Sequence, residues 1–215
     1  MTTYQTEKFI PALGADLLTP LYDPLLWLMR ETRFKTDLVE QAQMNDGSRV
    51  LDVGCGTGTL AIMVKKLHPD VEVIGIDADS KILAIARHKA AKAGIKVTLD
   101  QGMADQLPYA ANSFDRVLSS LFLHHLKTEN KLRTLREILR VLRPGGRFDV
   151  VDFGLPRSFY SRLVARFTAN SEEVAANIKG LLPEIFREAG FENVAETKQF
   201  MTVAGALSFY RGQKP

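Results

Sequence analysis

The residues best suited to chemistry are three glycines at alternate positions behind a carboxylate, Asp52-Val53-Gly54-Cys55-Gly56-Thr57-Gly58. Glycine tolerates positive φ and lets a ligand approach the backbone with no Cβ in the way, while the first amides of a following helix point into the same space. Such a turn serves a nucleotide-type cofactor or a very tight packing of strand on helix. A dinucleotide fingerprint, G-x-G-x-x-G, would need glycine where Thr59 stands, so the spacing argues against NAD. A second carboxylate, Asp77, follows roughly 20 residues on, where doubly wound folds place an acceptor for both ribose hydroxyls. Its alternative role, a helix N-cap, is open to Asp79 and Ser80 instead. Further along, His124 and His125 could take a proton near neutral pH. Cys55 reads as a small packing residue, and no Cys/His/carboxylate cluster has metal-ligand spacing, so no metal is expected.

These groups need a scaffold that brings strand ends together. Residues 49–53 are short and β-branched, and the apolar run from Leu60 begins a helix. A second strand over 71–76 ends in Asp77, and a helix capped by Asp79 or Ser80 runs through Ala93 to Gly94. Strands follow at 96–100 and 113–118, then a helix over 128–142 stopped by Arg143-Pro144-Gly145-Gly146, and a fifth strand over 147–152. Residues 159–179 are helical in pattern, 181–189 form a helix ended by Gly190, and 193–197 with 203–211 make a closing antiparallel pair. Upstream, Asp23 and Pro24 start a helix that reaches about Met44, with Trp27 packed in the core. Alternating strands and helices predict an α/β fold, a parallel sheet covered on both faces by right-handed crossovers.

The spacing from Asp52 to Gly58 resembles motif I of the class I S-adenosylmethionine-dependent methyltransferases. Residues 102–108 followed by Asn112-Ser113-Phe114-Asp115 resemble that family's motif II region, Leu142-Arg143-Pro144-Gly145-Gly146 its motif III, and Leu123-His124-His125-Leu126 its segment after strand four. The resemblance covers about 47–151 and is strongest toward the ubiquinone/menaquinone-biosynthesis enzymes and their small-molecule relatives. It implies a Rossmann-like doubly wound sheet of seven strands, order 3-2-1-4-5-7-6, with strand 7 antiparallel. It also implies S-adenosyl-L-methionine as cofactor and S-adenosyl-L-homocysteine as product. The implied cofactor residues are Asp52, Gly54, Gly56, Gly58, Asp77, Ala78, Ile82, Met103, Ala104 and Ser119, with Asp52 at the methionine end. Tyr22 is a lid candidate. One domain results, with an N-terminal helical lid over 1–45, a cofactor core over 46–152 and a variable substrate segment over 153–215. Met103 departs from the pattern, because many relatives carry Asp or Asn there to accept the adenine amino group. Adenine would then rest on the Ala104 backbone between Ile82 and Met103, or Asp105 would substitute. His124 or His125 would act as base for a phenol, enol or amine acceptor, against the favoured alternative of packing or loop hydrogen bonding.

With 215 residues, 46% of them hydrophobic, the chain can bury one good core. Its net charge of +3 is scattered, and Arg133, Arg136, Arg140 and Arg143 at helical spacing read as a solvated face rather than a nucleic-acid site. One cysteine excludes an internal disulfide framework, the N-terminus lacks a signal-peptide pattern, and no apolar run approaches the roughly 20 residues of a membrane span. A cytoplasmic enzyme with at most peripheral membrane contact is expected. Phe153, Leu155, Phe159, Tyr160 and Phe167 in the variable segment suit a small organic acceptor, apolar or lipid-like. The competing readings are a methyltransferase for protein or nucleic acid, and a cofactor-binding regulatory module without catalysis.

Overall fold

Period-two alternation along the strands decides the layers of this molecule. The computed structural model describes residues 31–168, 172–202 and 205–215. Its strands are β1 (Arg49–Val53), β2 (Glu72–Asp77), β3 (Thr98–Gln101), β4 (Phe114–Ser120), β5 (Leu142–Phe153), β6 (Glu192–Thr202) and β7 (Gly205–Gln213). They form a 7-stranded sheet in the order β3-β2-β1-β4-β5-β7-β6. Strands β1 to β5 pair in parallel, and β7 runs antiparallel to both β5 and β6. The described helices are α1 (Glu31–Ala42), α2 (Thr59–Leu67), α3 (Ser80–Lys92), α4 (Thr128–Val141), α5 (Phe159–Thr168), α6 (Glu172–Ile178) and α7 (Leu182–Ala189), with a 3₁₀ turn at Leu123–His125.

Alternate residues of each strand feed opposite cores. Leu51 and Val53 of β1, Val117 of β4, and Phe148 and Val150 of β5 pack with Leu135 and Ile138 of α4 and Ile185 and Phe186 of α7. Val50, Leu118 and Val151 face the other way, toward Phe34, Leu38 and Val39 of α1 and Leu60, Ala61 and Val64 of α2. The same alternation aims Asp52 and Asp149 at the α1 side, and Asp152 at the α4 side.

The C-terminal end of α1 is fixed by charge. Arg116 Nε donates to the Ala42 carbonyl at 2.8 Å, Arg147 Nη2 to Gln41 and Ala42 carbonyls, and Arg211 Nη2 to the Gln41 carbonyl at 2.6 Å. Three cations thereby satisfy carbonyls that a helix end leaves unpaired and complement its negative pole. Gln41 Nε2 donates to buried Asp149 at 2.9 Å, which also pairs with Arg211 at 3.1 Å. This anchoring holds α1 against the sheet.

Several boundaries differ from the sequence reading. The third strand forms at Thr98–Gln101 rather than 96–100. β5 starts at Leu142, because Arg143–Gly146 is a bulge between two pairings, Phe114 with Leu142 and Arg116 with Arg147. Gly145 has φ +75°, and its amide and the Gly146 carbonyl bond Lys214 near the C-terminus. The closing pair is longer than expected, with Thr202 Oγ1 bonding the Gly205 carbonyl at 3.0 Å across its turn. The helical stretch over 159–179 is two helices, α5 and α6. Gln43, at φ +46°, ends α1 just before the expected Met44. The proposed helix start at Asp23-Pro24, Trp27 and the lid candidate Tyr22 lie outside the described residues.

Candidate active site

The carboxyl ends of β1, β2, β4 and β5 bring the chemistry-bearing residues to one edge of the sheet. Asp52 of β1 is 1% exposed, and among the described residues neither of its carboxyl oxygens has a hydrogen-bond partner of ordinary geometry. Burial pushes its pKa up to about 7, with Lys35 and the Ala61 amide opposing and Asp77 adding to the rise. Lys35 is itself buried on α1 and paired with Glu31. A buried carboxyl with no partner is costly, so this position is suited to a ligand that brings a cation.

Each loop glycine has its own physical reason. Gly54 has φ +68°, and a Cβ there would lie 2.3 Å from the Phe122 ring. Gly58, at φ +73°, would meet the Ala86 side chain of α3 at 3.0 Å. Gly56, at φ +52°, has nothing within 4 Å of the Cβ position. Two of the three therefore serve packing as well as conformation, and Gly56 alone faces open space. Helix α2 starts from left-handed Gly58 with no side-chain cap, leaving first-turn amides for an external acceptor. Cys55 is buried beside Gly75, as a packing residue, and burial pushes its thiol up.

Asp77 ends β2 beside this loop. Its Oδ2 accepts from the Gly56 amide at 2.9 Å and its Oδ1 from the Asp79 amide at 3.0 Å. A carboxylate offers about four lone-pair positions, so each oxygen retains capacity for one hydroxyl. Burial raises its pKa, against those amides. The helix cap is Asp79, whose side chain accepts from the Lys81 and Ile82 amides. Asp77 is thus no cap, but it does hold the loop.

The remaining expected cofactor residues divide. Ile82 is buried, Ala104 packs against the core, and Met103 is 53% exposed. The Ala78 carbonyl accepts from Gln101 Nε2 at 3.1 Å. Asp105, the alternative adenine partner, turns its carboxylate toward Arg133 at 3.8 Å. Ser119 is fully buried, and its hydroxyl donates to the Val53 carbonyl at 2.8 Å, tying β4 to β1 inside the sheet.

After β4 the chain turns through Phe122 to His125. The Phe122 ring covers Gly54, and the Phe122 and His124 amides both donate to Asp152 Oδ2, at 3.1 and 3.3 Å. His124 Nδ1 lies 2.8 Å from Asp152 Oδ1. The His124 ring stands 4.0 Å from that of His125 and edge-on to Phe153 at 4.8 Å. Burial, with His124 adding, pushes His125 down to about 4, so it is neutral at physiological pH. Lys131 is fully buried, donates to the Leu126 and Glu173 carbonyls, and is brought down to about 8 by burial. Sequence reasoning missed Asp152, Asn177 and Phe122 as site residues. Asp152 had a usable signal, a carboxylate at the end of a parallel strand. Asn177, which reaches Asp152 from α6, had none. Among the described residues no group of His, Cys, Asp and Glu is placed to hold a metal ion, and no helix is long and apolar enough to cross a membrane.

Comparison with known proteins agrees with this architecture. A methyltransferase domain family matches residues 50–146. Demethylmenaquinone methyltransferase of Listeria monocytogenes is 30% identical over 90% of this chain and 91% of its own. The enzyme of the same name from Symbiobacterium thermophilum is 29% identical over 98% of this chain and 94% of its own. Among solved structures, the [4+2]-cyclase SpnF superposes with a TM-score of 0.68 at 25% identity, covering 85% of this chain and 80% of that one. A Haemonchus contortus phosphoethanolamine N-methyltransferase in complex with S-adenosyl-L-methionine gives 0.75 at 19% identity, covering 95% and 58%, a likeness of fold. The chain belongs to the S-adenosylmethionine-dependent methyltransferases, and it is an enzyme of that class. Within it, relatives that match along nearly the whole chain include demethylmenaquinone methyltransferases. The residues present fit the cofactor: an unpartnered buried carboxyl, open space over Gly56 and an uncapped helix start are complementary to an ammonium, a nucleoside and a carboxylate.

Proposed function

We propose that this enzyme methylates a small, apolar, reduced aromatic acceptor of the hydroquinone type. The observation that carries this reading is the match along nearly the whole chain to demethylmenaquinone methyltransferases, a span that takes in the segment after β5. The exposed apolar side chains of Leu155, Phe159, Tyr160 and Leu163 in that segment support it.

S-adenosylmethionine supplies an electrophilic methyl on a sulfonium, and the protein's task is to hold donor and acceptor in line and exclude water. In our assignment Asp52 takes the ammonium of the methionine portion, and the amides at the start of α2 face its carboxylate. Asp77 takes the ribose hydroxyls while holding Gly56 in place. Ala78, Ile82, Met103 and Ala104 surround the adenine, with Gly54 and Gly58 shaping the loop. We assign the lid to the part of the N-terminal segment 1–45 that precedes α1, with Tyr22 as its candidate for the methionine end, while α1 itself packs on the sheet; 46–152 form the cofactor core and 153–215 the acceptor segment and closing strands. Cytoplasmic placement, with at most peripheral membrane contact, completes the proposal.

The test is incubation with S-adenosylmethionine and three acceptors: a prenylated 1,4-naphthohydroquinone kept reduced, phosphoethanolamine, and histamine. Methylated naphthohydroquinone with matching S-adenosylhomocysteine is the expected result. Turnover of either amine without turnover of the hydroquinone would overturn the acceptor assignment.

A further inference from the structure

We propose that His124 is the general base of this enzyme, held in register by Asp152 and Asn177, and that its acceptor gives up a hydroxyl proton as it is methylated. The inference rests on the methyltransferase reading above and narrows its acceptor to one with an acidic O–H.

Asp152 is fully buried, and five donors converge on it. Oδ1 meets His124 Nδ1 at 2.8 Å, the Phe153 amide at 2.7 Å and Asn177 Nδ2 at 3.2 Å. Oδ2 accepts from the Phe122 and His124 amides. A buried carboxyl surrounded only by donors is stable as the anion, and burial, which opposes that charge, is outweighed by His124 and these amides, holding it below the usual carboxylate range. An ionised Asp152 can only accept, so Nδ1 must carry the ring hydrogen and Nε2 the lone pair of the neutral imidazole. No described residue bonds Nε2, and the side chain keeps 12% exposure. Phe153 edge-on and His125 on the other ring fix its plane.

Asn177 of α6 backs the carboxylate. It is fully buried, donates to Asp152, and leaves its own Oδ1 unpartnered, a cost a purely structural site would avoid with an apolar residue. The charged and titratable groups facing the pair are His125 on the same turn, Asp152 on β5 and Lys131 on α4. His125 stays neutral and among the described residues has no carboxylate paired with it, so it is not equivalent to its neighbour.

In the transfer, Nε2 takes the hydroxyl proton while an electron pair of the acceptor forms the bond to the methyl carbon. On oxygen this gives the ether directly; on the conjugated ring carbon it gives the keto tautomer, whose ring C–H proton then leaves to solvent while the oxygen regains a proton from the imidazolium, restoring the aromatic diol. The former carbon–sulfur bond returns its pair to sulfur, leaving a neutral thioether. Positive charge thus moves from sulfonium to imidazolium, which Asp152 meets directly.

The test uses the full chain with S-adenosylmethionine and the prenylated naphthohydroquinone. His124→Gln should lower kcat by about 10²–10⁴-fold, with S-adenosylhomocysteine affinity within about threefold of wild type. Raising the pH, which ionises the acceptor without help, should recover part of that loss, a rescue that a structural role would not produce. Asp152→Asn should lower kcat more than it raises KM, because an amide no longer fixes the Nδ1–H tautomer. Retention of kcat within tenfold in His124→Gln, on an acceptor that the wild type methylates, would overturn the inference. Nitrogen NMR of the wild-type imidazole needs no acceptor: the Nδ1–H tautomer supports the proposal, and the Nε2–H tautomer overturns it. Failure of the wild type to methylate the hydroquinone removes the acceptor assignment and leaves the tautomer result to judge the base.

Discussion

Asp52→Asn isolates the electrostatic cost that the enzyme carries before its cofactor binds. The Asp52 carboxyl is lifted from 3.8 to about 7, chiefly by burial. Between those values the native state keeps a proton that the unfolded chain has already released, so stability falls as pH rises through that window. The full cost above pH ~7 is about 4 kcal/mol, of which about 2.5 kcal/mol develops between pH ~5 and ~8. The amide cannot ionise, and it removes this slope. Thermal unfolding of the cofactor-free protein should therefore show the variant gaining about 5–10 °C on the wild type as pH is raised from ~5 to ~8. The amide still lacks a partner, so its absolute stability at low pH should be near that of wild type or slightly below. Calorimetric titration with S-adenosylhomocysteine should show the opposite preference. The wild type should bind best where Asp52 is ionised, and the variant should lose about 1.5–3 kcal/mol of affinity at pH ~8. Parallel melting profiles for the two proteins across this range would refute the reasoning, because Asp52 would then have a partner in the free enzyme.

The glycine loop offers a matched pair of substitutions. Gly54→Ala should destabilise the fold by about 2–4 kcal/mol, since Phe122 lies where the Cβ would go, whereas Gly56→Ala should cost about 1 kcal/mol from its φ alone, both read by chemical denaturation. Asp77→Asn should weaken S-adenosylhomocysteine by about 10- to 100-fold, measured by calorimetry, and also lower the melting temperature, since one oxygen bonded to the Gly56 or Asp79 amide becomes an amino group. Met103→Asn should tighten cofactor binding relative to Met103→Leu by up to about tenfold through a new acceptor for the adenine amino group; equal affinities in two folded variants would place adenine elsewhere.

The sequence by itself marked the alternation of strands and helices, the glycine turn and a carboxylate at the end of each of the first two strands, because these are short-range signals; the strand order and the cofactor class came with the family resemblance those motifs carry. Alternating β-branched runs, a glycine turn and the spacing from Asp52 to Asp77 are local, and any doubly wound chain must bring its strand ends to one edge. Local patterns also narrowed the cap of α3 to Asp79 or Ser80, of which the structure uses Asp79, and placed Gly190 as the stop of α7. They could not say why each loop glycine is glycine, since Phe122 and Ala86 arrive over Gly54 and Gly58 from elements remote in sequence. Nor could they show that the Ser119 hydroxyl bonds the neighbouring strand's Val53 carbonyl. The two adjacent histidines were indistinguishable as a dipeptide. Only the fold, by parity along β5 and the arrival of α6, puts Asp152 and Asn177 behind His124 and leaves His125 without a counterion. Contacts of that kind join residues 25 and 28 positions apart through the packed sheet, and the side-chain types alone carry no record of them.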